Sequence, residues 1–237
     1  MSRKFILLHG AFHGGWCWAR VAKLLRERGH AVFTPTQTGL GERRHLLTDA
    51  VSLETFIADV TGLIEAEELT DAILVGHSFG GITISGVADR MPARVRHLVY
   101  LDSRILEDGQ SQADVDPERA AGRREAAMAH DRGLSVPPPP TAFFGLPPGP
   151  DADWVARRMT PHPFRTMTDK LRLANPVGND LPRTYIACTA PVYAPLDQSR
   201  RWVLGRPGWA SREIGTGHDA MVTAPEALAQ MLEEIAA

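Results

Sequence analysis

Six short apolar runs alternate along the chain with longer segments that repeat with a helical period. This alternation is typical of an α/β domain, in which a mostly parallel sheet is flanked by helices. The predicted strands are residues 4–9, 31–34, 72–76, 96–102, 184–189 and 211–214. We therefore expect a sheet of about six strands.

Three segments carry clear helix signals. Residues 16–28 and 53–68 place apolar side chains at helical spacing, and Gly29 follows the first of them where a C-cap is expected. Near the C-terminus, Thr223-Ala224-Pro225-Glu226 has the spacing of a capping box with proline in the first turn. The final helix is therefore predicted to begin there.

The alternation stops between about residues 104 and 180. Four consecutive prolines at 137–140 cannot continue a helix or a central strand, and short helices are expected on either side. Several large apolar side chains lie in the same segment, too many to leave in water. We expect residues 1–237 to form a single domain with this segment inserted as a mainly helical lid.

Composition limits the classes of partner. The chain has 26 Lys and Arg against 28 Asp and Glu, so neither a nucleic acid nor a membrane surface is favoured, and a small molecule is expected. The apolar run at 5–8 is too short for a signal peptide or a membrane span, which predicts a cytoplasmic location. Cys17 and Cys188 are expected to be free, buried thiols. A homo-oligomer is left open.

The strand at 72–76 runs into the sequence GHSFGG, and a helix follows. Gly76-x-Ser78-x-Gly80 in this context predicts a nucleophile elbow, a sharp turn that exposes the Ser78 hydroxyl above the sheet. Small residues on both sides permit the close backbone approach. The positive end of the following helix lies near any oxyanion that forms there.

A serine nucleophile needs a base, and His218 lies between the last predicted strand and the last helix. It is thus at the same sheet edge as Ser78 and follows it in the chain. His77 is expected to point elsewhere and His9 to be structural. The remaining histidines have no partner spacing and are expected in solvated or core roles: His13, His30, His45, His97, His130 and His162.

Two backbone N–H groups are expected to form an oxyanion hole: that of Phe79, after the nucleophile, and that of Ala11, in the loop HGAFHGGW. Glycines let this loop turn back over Ser78. The loop lacks GxGxxG and a P-loop lysine, so nucleotide binding is not expected.

Four segments, FILLHGAFHGGWCWARVAKLLRERGH, AILVGHSFGG, RTYIACT and GTGHDAMVTAPEAL, resemble the α/β-hydrolase superfamily, in particular its plant methylesterases, hydroxynitrile lyases and small bacterial esterases. The resemblance implies a Ser-His-Asp carboxylester hydrolase without metal or organic cofactor. In the lyases a lysine follows the histidine, but here that residue is Asp219, which makes cyanohydrin cleavage an unfavoured activity.

The resemblance also shows a displaced acid. The plant enzymes carry the acid two residues beyond the threonine of their YI-CT strand, where this chain has Pro191. Asp102 ends the neighbouring predicted strand and is the predicted acid, because a triad is defined by geometry and role. Asp197 is the alternative.

We therefore expect hydrolysis of a small, largely apolar or aromatic ester, or a carbamate, through Ser78, Asp102 and His218. A lyase or cyclase, or a receptor with a vestigial site, are the alternatives. The predicted substrate-binding residues are mainly apolar or aromatic, since such side chains commonly line ligand pockets; they are Phe12, Arg104, Phe143, Phe144, Tyr193 and Met221. Arg104 could meet a carboxylate or a polar carbonyl of the substrate.

Overall fold

The six predicted strands form one parallel sheet in a computed structural model that describes residues 2–237. The order across this sheet is β2-β1-β3-β4-β7-β8. The strands are β1 (Lys4–Leu8), β2 (Ala31–Phe33), β3 (Ala72–His77), β4 (Val95–Leu101), β5 (Ser135–Val136), β6 (His162–Pro163), β7 (Arg183–Cys188) and β8 (Trp209–Ile214). The short strands β5 and β6 pair separately and antiparallel.

Helices flank the sheet, and α1 packs against α10 while α2 packs against α3. The helices are α1 (Ala19–Glu27), α2 (Leu53–Ala66), α3 (Gly80–Arg90), α4 (Gln112–Val115), α5 (Pro117–Asp131), α6 (Pro150–Ala156), α7 (Phe164–Thr168), α8 (Asp197–Val203), α9 (Ala220–Thr223) and α10 (Pro225–Ala236). Within residues 2–237, every helix is too short or too polar to cross a membrane.

Of the two predicted helix caps, the glycine C-cap is present and the N-terminal capping box is not. Gly29 has a φ of 85°, and the His30 N–H donates to the Leu25 carbonyl, the bond expected of a glycine-terminated helix. The predicted capping box at 223–226 is wrong, because α10 begins after Ala224 and has no side-chain cap. The Thr223 hydroxyl instead bonds with that of Thr216.

The middle of the sheet is the core. All six residues of β3 are buried, and its neighbours β1 and β4 pair with it along most of their length. Strands covered on both faces are expected to read as continuous apolar runs, as 72–75 does here. The carboxyl ends of β3, β4, β7 and β8 therefore meet at one edge of a sheet whose central strand β3 is fully buried.

Residues 104–180 contain α4 to α7 and the β5–β6 pair. Residues 117–131, rich in Arg and Ala, form the longest helix, α5, and its C-cap Arg132 has a φ of 61°. Residues 137–140 are neither helix nor strand, and a 3₁₀ turn with Phe143 and Phe144 follows them. That this segment acts as a lid stays a prediction.

Gly80, the first residue of α3, has no room for a side chain. A Cβ there would lie 2.8 Å from the His9 carbonyl oxygen and 3.1 Å from that of Leu8. We expect Gly80→Ala to lower the free energy of unfolding by about 1–3 kcal/mol, because these backbone atoms must shift. Urea unfolding measures this value.

Gly62→Ala is the matched control. Gly62 lies inside α2, where a Cβ would meet nothing within 4 Å. Alanine should therefore raise the free energy of unfolding by up to about 1 kcal/mol through helix propensity. Equal effects of the two substitutions would contradict the steric explanation for Gly80.

Candidate active site

Ser78 lies on a strained turn between β3 and α3. Its φ is 53°, in the left-handed region that residues with a side chain rarely adopt. A Cβ on Gly76 would lie 2.7 Å from the Gly80 carbonyl oxygen, so the turn closes only with glycine at that position. The Ser78 N–H donates to the Leu101 carbonyl at 3.1 Å. The geometry is that of a nucleophile elbow.

The turn is held by the loop that follows β4. The Ser78 carbonyl accepts hydrogen bonds from the Arg104 N–H at 3.0 Å and from the Ser103 hydroxyl at 2.8 Å. The Gly81 N–H donates to the same oxygen at 3.3 Å. The strained residue is thus fixed by its neighbouring strand, as expected where strain persists.

Asp102, directly after β4, contacts His218. The Asp102 Oδ2 atom lies 2.7 Å from the His218 Nδ1 atom, and both side chains are buried. The other carboxylate oxygen accepts from Arg200 Nη2 at 2.7 Å and from the Cys188 N–H at 3.3 Å. Because a carboxylate oxygen accepts, the proton of a neutral His218 ring lies on Nδ1, and Nε2 is left unprotonated.

Asp197, the alternative acid, lies elsewhere. Its side chain is 46% exposed and accepts from Arg200 Nη1 at 2.8 Å, whereas that of Asp102 is fully buried. Within residues 2–237, no hydrogen bond or ion pair joins Asp197 to His218. The geometry therefore favours Asp102 as the partner of His218.

The loop after β1 passes against Ser78. A Cβ on Gly10 would lie 2.7 Å from the Cβ of Ser78, so only glycine permits this approach. Ala11 and Phe79 both line the cavity beside Ser78. Among the hydrogen bonds of residues 2–237, none uses the N–H of Ala11 or Phe79. Both donors are thus available to a ligand.

Ser78 and His218 line the same narrow cavity of about 30 Å³. Its walls include the polar side chains of Arg104, Gln112 and Arg123 and five aromatic side chains, which are Phe12, Phe79, Phe143, Phe144 and Tyr193. The Tyr193 ring stacks on the His218 imidazole with the centroids 4.0 Å apart. An open groove of about 460 Å³ shares Phe12, Arg123 and Phe143 with this cavity. A larger groove, of about 580 Å³, shares no residue with it.

The comparison with protein families matches the description "Alpha/beta hydrolase family" over residues 5–231. This chain belongs to the alpha/beta hydrolase family. A carbendazim hydrolyzing esterase from Nocardioides sp. (strain SG-4G) is 42% identical over 237 residues, covering 96% of this chain and 97% of the relative. The match places this alpha/beta hydrolase among the carboxylesterase-like enzymes.

Further relatives extend the likeness to plants and to solved structures. Methyl jasmonate esterase 1 of Vitis vinifera is 26% identical over 255 residues, covering 99% of this chain and 97% of the relative. An extracellular alpha/beta-hydrolase from a Paenibacillus species is 25% identical with a TM-score of 0.84, covering 98% of both chains. The resemblance expected from the four sequence segments is confirmed.

A second His-Asp pair of this hydrolase lies beside the first, and sequence reasoning missed it. His13 Nε2 is 3.2 Å from the Asp219 Oδ2 atom, and His13 Nδ1 is 2.8 Å from the Ala11 carbonyl oxygen. Since both ring nitrogens face acceptors, both carry protons, and His13 is an imidazolium. The pair ties the loop of Ala11 to the loop of His218. The two residues are 206 positions apart in the chain, so no local sequence pattern indicates the pair.

The pKa shifts of His13 and Asp219 are those expected of an ion pair. Burial disfavours the charged form of each group, but the Asp219 carboxylate outweighs burial and raises the pKa of His13 above 6.5. In the same way, His13 lowers the pKa of the buried Asp219 below 3.8. Both groups are therefore charged at mildly acidic pH.

His77 lines the cavity and also supports the backbone of His218. Its Nε2–H donates to the His218 carbonyl at 3.0 Å, and burial, with the neighbouring His218 ring, lowers the pKa of His77 well below 6.5. Together, His77, His218 and Asp219 each bring one potential metal-ligating atom within 4.8 Å of the others. Within residues 2–237, His77 donates to a backbone carbonyl and Asp219 pairs with His13, whereas Asp219 Oδ1 has no hydrogen-bond partner.

His162 connects the 104–180 segment to the same loop. The Phe12 N–H donates to His162 Nδ1 at 3.4 Å, and the Phe12 carbonyl accepts from the Thr160 N–H at 2.9 Å. Phe12 itself has a φ of 69°. Both its backbone groups are thus bound by residues 160–162, a role that nothing in the local sequence indicates.

The six predicted substrate-binding residues do not all lie at the cavity. Phe12, Arg104, Phe143, Phe144 and Tyr193 line the cavity. Met221 lines neither the cavity nor the adjoining groove and is fully buried in the core.

The His13–Asp219 pair predicts a pH-dependent stability. The contribution of His13 to the free energy of unfolding is fully present below pH 6.5 and is lost as pH rises through its raised pKa. The contribution of Asp219 is present above pH 3.8 and is lost as pH falls through its lowered pKa. His13→Gln should therefore lower the free energy of unfolding by about 3–5 kcal/mol near pH 6, because it leaves a buried carboxylate unpaired. Near pH 9 the loss should be smaller. Urea unfolding at both pH values measures the difference. A cost that does not change with pH would contradict the ion pair.

Proposed function

We propose that this hydrolase cleaves carboxylic esters through an acyl-enzyme formed on Ser78. His218 takes the proton of the Ser78 hydroxyl as that oxygen attacks the ester carbonyl carbon, and the N–H groups of Ala11 and Phe79 stabilise the oxyanion. His218 then protonates the leaving alcohol. Water, activated by the same ring, releases the acid and restores Ser78.

One observation carries the proposal. Ser78, on a strained elbow, shares a narrow cavity with His218, whose other ring nitrogen lies 2.7 Å from a buried carboxylate. That carboxylate keeps the imidazole in the tautomer with Nε2 free to accept a proton, and it stabilises the imidazolium that forms. The unused N–H groups beside Ser78 supply the remaining part of the mechanism.

The wall of the cavity supports a small, largely apolar or aromatic ester, or a carbamate, as substrate. Five aromatic side chains line it, and aromatic rings bury flat apolar groups efficiently. The name of the Nocardioides relative states that it hydrolyses carbendazim. Carbendazim is accordingly one of the first compounds to test, beside simple aryl esters.

Ser78→Ala should abolish covalent labelling by a fluorophosphonate and lower kcat for p-nitrophenyl butyrate by about 10⁴-fold or more, because no other group can form the acyl-enzyme. Intact-mass spectrometry and a chromogenic assay give the two readouts. Labelling of Ser78→Ala to the same extent as wild type would show that another residue is the nucleophile.

Asp102→Asn should lower kcat for the same ester by about 10⁴-fold, since the amide stabilises the wrong tautomer of His218. Asp197→Asn is the matched control, because both carboxylates accept from Arg200. We expect the control to change kcat by less than about threefold, as exposed ion pairs contribute little. Circular dichroism checks folding, and full activity of Asp102→Asn would exclude Asp102 as the acid.

A further inference from the structure

Positive charge is concentrated inside the aromatic cavity of Ser78. Arg104 and Arg123 both line it, and among residues 2–237 no Asp or Glu does so. An aromatic cavity for a wholly apolar substrate has no need of two guanidinium groups. Buried charges are costly unless they are paired, so unpaired ones in a binding cavity point to a ligand.

Arg104 is 3% exposed and only partly satisfied by the protein. Its Nη2 donates to the Pro195 carbonyl at 2.7 Å, while its Nε is buried without a hydrogen-bond partner. No salt bridge within the described residues involves this side chain. A neutral carbonyl is thus its recorded polar contact, and within the described residues no carboxylate lies at ion-pair distance from it.

Arg123 approaches the cavity from α5 and has a neutral partner. With the Gln112 amide oriented so that its oxygen faces the guanidinium, this oxygen accepts from Arg123 Nη1 at 2.8 Å. Burial lowers the pKa of Arg123 to about 10, so the side chain remains charged at neutral pH. Within residues 2–237, Arg123 also forms no salt bridge. Three cationic side chains therefore line the cavity: His13, which Asp219 pairs, and Arg104 and Arg123, which form no salt bridge within the described residues.

Acidic groups lie outside this cavity. Asp116 and Glu118 line the adjoining groove, where Asp116 forms an ion pair with Arg119 at 2.9 Å. Arg123 lines both the groove and the cavity, so these acids are near it only on the groove side. The excess positive charge lies on the inner side, next to Ser78.

We propose that Arg104 and Arg123 bind a carboxylate of the substrate, so that the preferred substrates are aromatic esters carrying a free carboxylate away from the scissile bond. The proposal rests on the esterase function proposed above. Planar guanidinium groups match a carboxylate in two parallel hydrogen bonds, a geometry that a neutral carbonyl does not reproduce. The aromatic wall holds the ring that connects the carboxylate to the ester.

Two pairs of esters, matched in shape and different in charge, test the preference. Monomethyl terephthalate and methyl 4-carbamoylbenzoate differ in the acyl part, while 4-acetoxybenzoate and 4-acetoxybenzamide differ in the leaving group. Chromatography of the products gives kcat/KM for each ester. We expect wild type to prefer the carboxylate in at least one pair by about 10- to 100-fold, the effect of hydrogen bonds to charged groups.

Arg123→Gln should reduce this carboxylate-to-amide ratio by about 10-fold or more, and Arg123→Lys should reduce it less. The matched control is Arg124→Gln, because Arg124 is the next residue of α5 but is exposed and lines neither the cavity nor the groove. The control should keep the wild-type ratio. A ratio near one in wild type, or an equal loss in both glutamine variants, would overturn the carboxylate proposal.

The outcomes separate this proposal from the esterase proposal. Turnover of p-nitrophenyl butyrate without preference for either carboxylate ester overturns the carboxylate site and leaves the esterase function intact. If no ester is hydrolysed, calorimetry with monomethyl terephthalate and Ser78→Ala protein decides the matter. Binding that is lost with Arg123→Gln would support the carboxylate site, and an absence of binding would overturn it.

Discussion

The buried carboxylate of Asp102 is the group on which the site depends. It is fully shielded from water, and a charge in such a place persists only with several donors. Its donors come from the end of β7, from Arg200 of α8 and from His218 after β8. Three elements between residues 183 and 218 therefore meet at one side chain at the end of β4. A neutral amide at 102 would fill the same volume but would reverse a donor and an acceptor.

Around this carboxylate, the protein fixes both the ring and the backbone of His218. The ring is held by Asp102 and stacks on Tyr193, and the His218 carbonyl accepts from His77. The next residue, Asp219, pairs with His13 on the loop that passes over Ser78. In the proposed mechanism, the base and one oxyanion donor thus belong to loops that a single ion pair joins. Such mutual support is what preorganised sites require.

The sequence predicts the sheet well and the polar contacts only in part. All six strands of the parallel sheet were expected, with ends that differ by two residues or fewer, because buried parallel strands read as apolar runs. Asp102 and His218 could be placed at one sheet edge from chain order alone. His13 and Arg123 could not be assigned roles, since their partners are distant in the chain or come from an irregular segment. Met221 was expected to bind substrate but lies buried in the core, because apolar residues of core and pocket look alike in a sequence.

The attachment of Phe12 to residues 160–162 limits how a substrate can reach Ser78. Moving those residues away would break two hydrogen bonds and leave a backbone with a φ of 69° without support beside Ala11. The two hydrogen bonds of Phe12 therefore hold that side of the cavity entrance in place. Phe143, by contrast, is 39% exposed and borders both the cavity and the open groove. In the proposed mechanism, a substrate that enters from the groove would therefore pass the exposed Phe143 ring, and the loop beside Ala11 would not have to move.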